Sequence, residues 1–401
     1  MFVGQTRFSL FQPGSSGWKA SSRDSALDEE SYRDYLYSEQ RMESRIKIFL
    51  EHSIPTIAQA AKHHRIRHIV SFSESLPGRY KDLLLSAARL FDFIVLDERP
   101  DRRGPSDWRR LLDSCIGARD IVGIYRLDDD DLLSVDFFSR MRRYLETPFI
   151  GMRVSFGLIA HLLYSDGEFS MPRQSHHPLL GIGLMDIAQK RGPMRYSVPK
   201  IISHNRSDRV GPVIIDSTEL GALWVRSVNQ DTSFGGRNEI RLEQLKAHLR
   251  SLQRVERKDF ESKFPTLRNS VDFGQSVELL AEKLQVSEEL YFDLDRLIGE
   301  IAFSFSYSGD VGLVRRDYIW SFRLWDMDST TEVFDVDIDG LTKTPPDGIG
   351  YYRYARTRAG ERDGWVQISL PEGIVCDQIR ISPSHSEAPR LVLESIQLEM
   401  D

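Results

Sequence analysis

Ile121–Val–Gly–Ile–Tyr–Arg–Leu–Asp128–Asp129–Asp130–Asp131–Leu–Leu133 places four carboxylates directly behind an apolar, β-branched run. Such a run reads as a buried strand. In a parallel sheet it delivers the next residues to the carboxyl edge, where open α/β folds bind their ligands. Clustered carboxylates repel one another and retain protons unless cations or donors compensate. A hard divalent cation, Mn²⁺ or Mg²⁺, resolves the conflict and shares its remaining positions with substrate phosphates. Ser134 to Glu146 reads as a helix, and one aspartate ahead of it, Asp131 above all, would favour its N-terminus. A cap needs one carboxylate, however, not four.

Working outward, His68 to Phe72 and Phe91 to Leu96 read as further buried strands, and Phe8 to Phe11 as a short one. Tyr32 to His64 has helical spacing, with Pro55 marking a break or the start of a second helix, and Trp108 to Cys115 is also helical. Gln12 to Arg23 is a glycine- and serine-rich loop. Alternation of strands and helices predicts an α/β fold, a Rossmann-like mixed sheet with helices on both faces. Shorter strands come next at Gly151 to Ile159, Pro212 to Ile215 and Leu220 to Val225. Residues 241–301, rich in Glu, Lys, Arg and Leu, predict a helical linker after a first domain of residues 1–240. From 302 to 401 the runs alternate with period two, and three of the six tryptophans fall there. That pattern predicts a β-sandwich, a carbohydrate-binding-like or assembly module.

Composition removes several classes. The 401 residues are 40% hydrophobic and 28% charged, ordinary for a globular chain. A net charge of −7 argues against broad electrostatic attraction to nucleic acid. No run approaches the roughly 18 apolar residues of a spanning helix, and no secretory pattern opens the chain, so a cytoplasmic location is expected. Two cysteines, Cys115 and Cys376, make no disulfide framework. Asp335 to Gly340 opens like an EF-hand, but Pro346 stands where the bidentate glutamate belongs, and the interleaved apolar residues suggest an acidic strand face. His176 and His177 belong to a loop that could touch an acceptor, and Trp108 and Trp224 read as core or stacking rings. Arg241 to Lys258 is a basic helix, a solvated face that could also touch the inner face of a membrane.

Thr6–Arg–Phe–Ser9, Tyr35–Leu–Tyr–Ser–Glu–Gln–Arg–Met42, Ser73–Glu74–Ser–Leu–Pro77–Gly–Arg–Tyr80 and Tyr125–Arg–Leu–Asp128 together resemble a bacterial family of rhamnosyltransferase-like glycosyltransferases. That family has the GT-A fold and a DxD motif, and the resemblance runs over roughly residues 1–240. It implies Asp128 and Asp130 in the DxD positions, holding metal and ribose, with Asp129 and Asp131 able to exchange roles with them. It implies Thr6, Arg7 and Ser9 near the nucleotide, with Ser73 and Glu74 at the same edge. An inverting member needs a downstream carboxylate base, for which Asp216 and Glu219 lie at a suitable interval. Related folds add a late histidine to the metal. His204 is available, whereas Val225–Arg–Ser–Val–Asn229 lacks one where it is expected.

The function expected is therefore a metal-dependent glycosyltransferase moving a sugar from a nucleotide-diphosphate donor to a glycan, lipid or other acceptor hydroxyl, with self-association left open. Two rivals remain: a carbohydrate-binding protein with a degenerate enzyme domain, and an Asp-cluster phosphoryl-transfer hydrolase.

Overall fold

The computed structural model describes residues 1–13, 28–101, 108–193, 195–200, 203–228, 230, 238–309, 316–345, 347–356 and 362–400. The chain forms two compact units, Met1–Phe273 and Gly274–Asp401. Most of the Gln12–Arg23 loop lies outside the described residues, as do the Trp108 ring, Asn229 and Pro346.

In the first unit the strands are β1 (Phe2–Arg7), β2 (Ile66–Ser73), β3 (Ile94–Arg99), β4 (Ile121–Arg126), β5 (Asp131–Leu133), β6 (Arg153–Phe156), β7 (Leu158–Ser165), β8 (Glu168–His176), β9 (Met185–Gly192), β10 (Arg195–Ser197), β11 (Val213–Asp216) and β12 (Ala222–Arg226). The helices are α1 (Glu29–Leu36), α2 (Glu39–Ile46), α3 (Ile54–Ala61), α4 (Gly78–Leu90), α5 (Trp108–Cys115), α6 (Phe137–Arg142), α7 (Asn238–Arg250) and α8 (Arg257–Lys263). The main sheet runs β11-β6-β9-β4-β1-β2-β3. Strands β1 to β4 are mutually parallel, β9 is antiparallel to β4 and β6, and β11 is parallel to β6. The chain moves from β1 to β2 and β3 on one side, then crosses to β4 on the other. The carboxyl ends of β1 and β4 therefore flank a topological switch point.

Both faces of this sheet are covered. Val3, Ile69 and Val122 pack with Leu112 and Ile116 at α5, whereas Phe2, Tyr125 and Phe156 join Phe137 and Phe138 of α6. Phe138 meets Phe2 and Tyr125 edge-on at 5.1 and 5.3 Å, a favoured geometry for aromatic pairs. Gly4 is required where it stands, because a Cβ there would lie 2.3 Å from both His68 and Tyr125. Those two rings are hydrogen-bonded through Nδ1 and the phenol at 2.8 Å, beneath the sheet's binding edge.

Of the two readings of Pro55, the start of a second helix holds, without a break in the chain's helical course. The chain passes from α2 into α3 through a π-helical stretch, Lys47–Ser53, with Pro55 in the first turn of α3. A wider turn absorbs the missing N–H and the ring's clash with the preceding turn. The helix expected from Ser134 shortens to α6, and Asp131 begins strand β5 rather than capping it. A second sheet, built on β8-β7-β12-β5, carries that strand and was not anticipated.

Residues 241–301 are helical only as far as Leu267. Gln275–Glu278, Leu284–Gln285 and Leu290–Ile298 are strands of the second unit. The last of these alternates Leu290, Phe292 and Leu294 toward the core, a period-two signal hidden in a composition that favours helix. The second unit holds two antiparallel sheets. One joins Gln275–Glu278, Leu391–Met400, Glu300–Gly309 and Asp363–Ser369; the other joins Leu290–Ile298, Ile374–Pro383, Tyr318–Asp326, Tyr351–Tyr354 and Thr342–Lys343. Their inner faces meet around Trp320, fully buried against Phe303 and Phe305. The acidic stretch from Asp335 is irregular backbone rather than strand; Asp335 and Asp337 are fully solvated and pair with Lys343.

Candidate active site

At the switch point the four aspartates have four different environments. Asp129 is buried, and its carboxylate accepts the Ser9 backbone N–H at 2.8 Å, the Ser9 hydroxyl at 3.1 Å and Arg45 Nη1 at 2.8 Å. It ties the turn after β4 to the turn after β1 and to α2. Ser9 takes a positive φ of 40° to make this bond, a strained conformation for a side-chain-bearing residue. Asp130 receives the same Arg45 nitrogen at 2.6 Å and the Gln230 amide at 3.0 Å. Burial nevertheless raises its pKa; Arg45 opposes that rise, and Asp129 and Asp128 add to it. Asp128 is the open one, its side chain 37% exposed and held by Arg126 at 2.8 Å. Although removal from water works against its charge, Arg126 and then Arg7 hold it below the usual carboxylate value. Asp131 is buried in β5 opposite Trp224, with Oδ1 unpaired among the described residues. Burial first, then Asp130 and Asp128, push its pKa well up.

Three guanidiniums thus surround these carboxylates. Arg7, at the end of β1, is itself pushed down to about 10, by burial and then by Arg126. The other residues expected near a nucleotide divide. The Thr6 hydroxyl is buried and donates to Leu127 O at 2.8 Å, with His68 Nε2 at 2.9 Å, so it braces the edge from within. Ser73 is buried and accepts the Phe11 amide at 2.8 Å. Glu74 is solvent-facing and accepts the Asp101 amide at 3.1 Å.

Asp216 lies at the same carboxyl edge. The ladders set Tyr125 level with Met185 and Val154, hence Leu127 level with Phe156, which pairs with Asp216. Three strand spacings separate β11 from β4, about 14 Å at about 4.8 Å each. Burial alone would raise Asp216; the Thr218 hydroxyl and amide, with Arg140 at 3.0 Å, hold it below the usual carboxylate value instead, and Arg143 completes the pairing. Glu219 is exposed and pairs with Lys263 of α8, which also binds Asp136 at 2.7 Å. His204 is exposed, its Nδ1 2.7 Å from Leu179 O. Among the described residues no three His, Cys, Asp or Glu side chains converge as a metal-binding set.

Sequence reading missed Arg45, Arg126 and Gln230. Arg41 and Arg45 sit one helical turn apart on the buried face of α2, amid Met42 and Ile46. That i, i+4 pattern of arginine on an apolar face was the available signal.

The mixed sheet, its switch point and the carboxylate–guanidinium cluster define an α/β protein with a candidate site at its carboxyl edge. A family model described as "Putative rhamnosyl transferase" matches residues 1–233, more than half of the chain, and the chain belongs to that family. Its class of activity is glycosyl transfer. No curated protein matches the chain. Among solved structures, the CBM22-1–GH10 modules of Clostridium thermocellum endo-1,4-β-D-xylanase 10B with xylohexaose show 10% identity and a TM-score of 0.19, covering 31% of this chain and 26% of that one. S. aureus TarS 1-349 in complex with UDP-GlcNAc shows 8% identity and a TM-score of 0.27, covering 64% of this chain and 67% of that one. The chain thus spans about a quarter of the xylanase chain, and neither likeness is close enough to carry an argument. Among the described residues no helix is long and apolar enough to cross a membrane.

Proposed function

We propose that the first unit is a GT-A-type, metal-assisted glycosyltransferase that takes a nucleotide-diphosphate sugar and transfers its hexose to a glycan or lipid-linked hydroxyl with inversion. The observation that carries this reading is the split among the aspartates. Asp129 is spent on holding the turn, which leaves Asp128 and Asp130 on either side as a DxD pair at the switch point. Their fit to a divalent cation rests on donor chemistry: two hard oxygen donors, one of them with a raised pKa despite Arg45, at an edge that also carries guanidiniums. One or two carboxylates plus substrate phosphates are what Mg²⁺ usually takes. Such a cation, Mn²⁺ or Mg²⁺, supplies neutralisation of the charge that develops on the departing diphosphate.

The chain's own residues do the rest. Arg7 and Arg126 stand ready to bind diphosphate oxygens as charge-assisted hydrogen-bond donors. Asp216 is favoured over Glu219 as the acceptor base, because it shares the carboxyl edge with Asp128 and its arginines keep it ionised at neutral pH. Self-association, a cytoplasmic location at the membrane's inner face and the helix Asn238–Arg250 as its contact belong to the same proposal. Calorimetric titration with UDP, GDP and dTDP, with Mn²⁺ and then with excess EDTA, tests the site. Binding of at least one nucleotide that collapses in EDTA supports it; binding indifferent to EDTA, or none at all, contradicts it.

A further inference from the structure

The second unit presents an outer sheet face with its own chemistry. Strand alternation sorts that sheet cleanly: Phe292, Trp320, Phe322, Ile379, Ile381 and Tyr351 enter the core, so their neighbours point out. Register sets Tyr291, Arg380, Ser321 and Tyr352 in one row across four strands, with Asp293, Gln378 and Arg323 in the next on one side and Ser382, Ile319 and Tyr354 on the other.

Guanidiniums on this face lie beside tyrosine rings. Arg380 lies 5.4 Å from the Tyr291 ring centre, and Arg316 and Arg356 lie 5.0 and 5.9 Å from that of Tyr354. Among the described residues none of these three arginines has a carboxylate partner. A tyrosine ring alongside restricts a guanidinium and favours pairing with planar anions, although Arg380 also donates from Nε to Gln378 Oε1. Between them the face is polar. Gln378 bridges Asp293 at 2.5 Å and Arg380 at 2.6 Å, and beneath them Ser321 is buried, its hydroxyl without a hydrogen-bond partner among the described residues. Asp293 and Asp377 along the same edge would repel a dense polyanion, whereas their oxygens accept hydroxyls.

From this arrangement we infer that the outer face of the Tyr318–Asp326 sheet binds an acidic polysaccharide, a glycan bearing uronic acid carboxylates. Carboxylates pair with Arg316, Arg356 and Arg380, ring hydroxyls bind the exposed Asp293, and Tyr352 offers a ring to a sugar face. The site is independent of the donor chemistry proposed for the first unit, so either can fail alone.

The test is affinity electrophoresis of the full chain through gels containing polygalacturonate, dextran or polyphosphate. Polygalacturonate should retard the protein, dextran should not, and polyphosphate should do so at most weakly. R380Q and the R316Q/R356Q pair should each weaken polygalacturonate binding about tenfold, the loss of a charge-assisted hydrogen bond. Y352A should weaken it less. Nucleotide binding by the first unit should be unchanged in all three variants. No retardation by polygalacturonate, equal retardation by polyphosphate, or full retention in the arginine variants would each overturn the assignment.

Discussion

Replacing Asp129 and Asp128 separately by asparagine should split stability from nucleotide binding. Asp129 and Arg45 form an ion pair at 2.8 Å with side chains 7% and 5% exposed. Breaking a buried pair by removing one partner costs about 3–5 kcal/mol. In D129N the Arg45 guanidinium keeps Asp130, and the asparagine oxygen still accepts from Ser9, so the lower end, about 3 kcal/mol, applies. With an m-value near 3 kcal/mol/M, at the upper end of the usual range for urea, the midpoint should drop by about 1 M. Asp128 pairs with Arg126 across side chains 37% and 44% exposed, a bond worth at most about 1 kcal/mol. D128N should therefore unfold within about 0.3 M of the parent while losing most metal-assisted nucleotide binding. Urea denaturation followed by far-UV circular dichroism, paired with calorimetry, reads both. Equal destabilisation in the two variants, or a larger loss in D128N, would refute the division of labour among the aspartates.

The same geometry sets three further outcomes. His68 and His161 are held neutral by burial, each pushed down to about 3, with Arg226 adding to the effect at His161. The unfolded chain binds those protons near pH 6.5, so this stability is complete above about pH 6.5 and is lost as pH falls toward 3. Urea midpoints measured from pH 8 to 4 should slope with nearly two protons, and H68Q should remove about one of them; a flat profile would contradict it. D216N should lower turnover about 10²-fold with donor affinity retained, and E219Q should stay near the parent, as steady-state kinetics would show. A D216N enzyme with normal turnover excludes Asp216 as the base. Gly4→Ala should cost about 3 kcal/mol or more, since its methyl must displace two buried, hydrogen-bonded rings; a melting temperature equal to the parent's would refute that packing.

The legible parts of this protein are those where period and polarity agree. The strand ending in Leu127 announces itself by apolar continuity, and the aspartates after it by their number. Val213 to Asp216 and the alternating C-terminal strands are recoverable for the same reason. What stayed hidden depends on contacts between residues distant in sequence. Arg45 looks like a solvated helix residue until Asp129 and Asp130, more than eighty positions away, are folded onto it. Asp131 looks like its three neighbours, yet its pairing with Trp224 removes it from the open edge. Thr6 and Ser73 belong to motifs that suggest ligand contact, but both turn inward to brace the edge. The strand Leu290–Ile298 was masked by charged residues on its outer face, a composition that favours helix unless the two-residue period is counted.

The central claim is that the first unit turns over a nucleotide sugar at the Asp128–Asp130 edge. Release of nucleoside diphosphate from a panel of UDP-, GDP- and dTDP-hexoses, with Mn²⁺ or with EDTA, measures it directly. The account predicts slow release from at least one donor with Mn²⁺, abolished by EDTA and by D128N. No release from any donor, or release untouched by EDTA and by D128N, would contradict it.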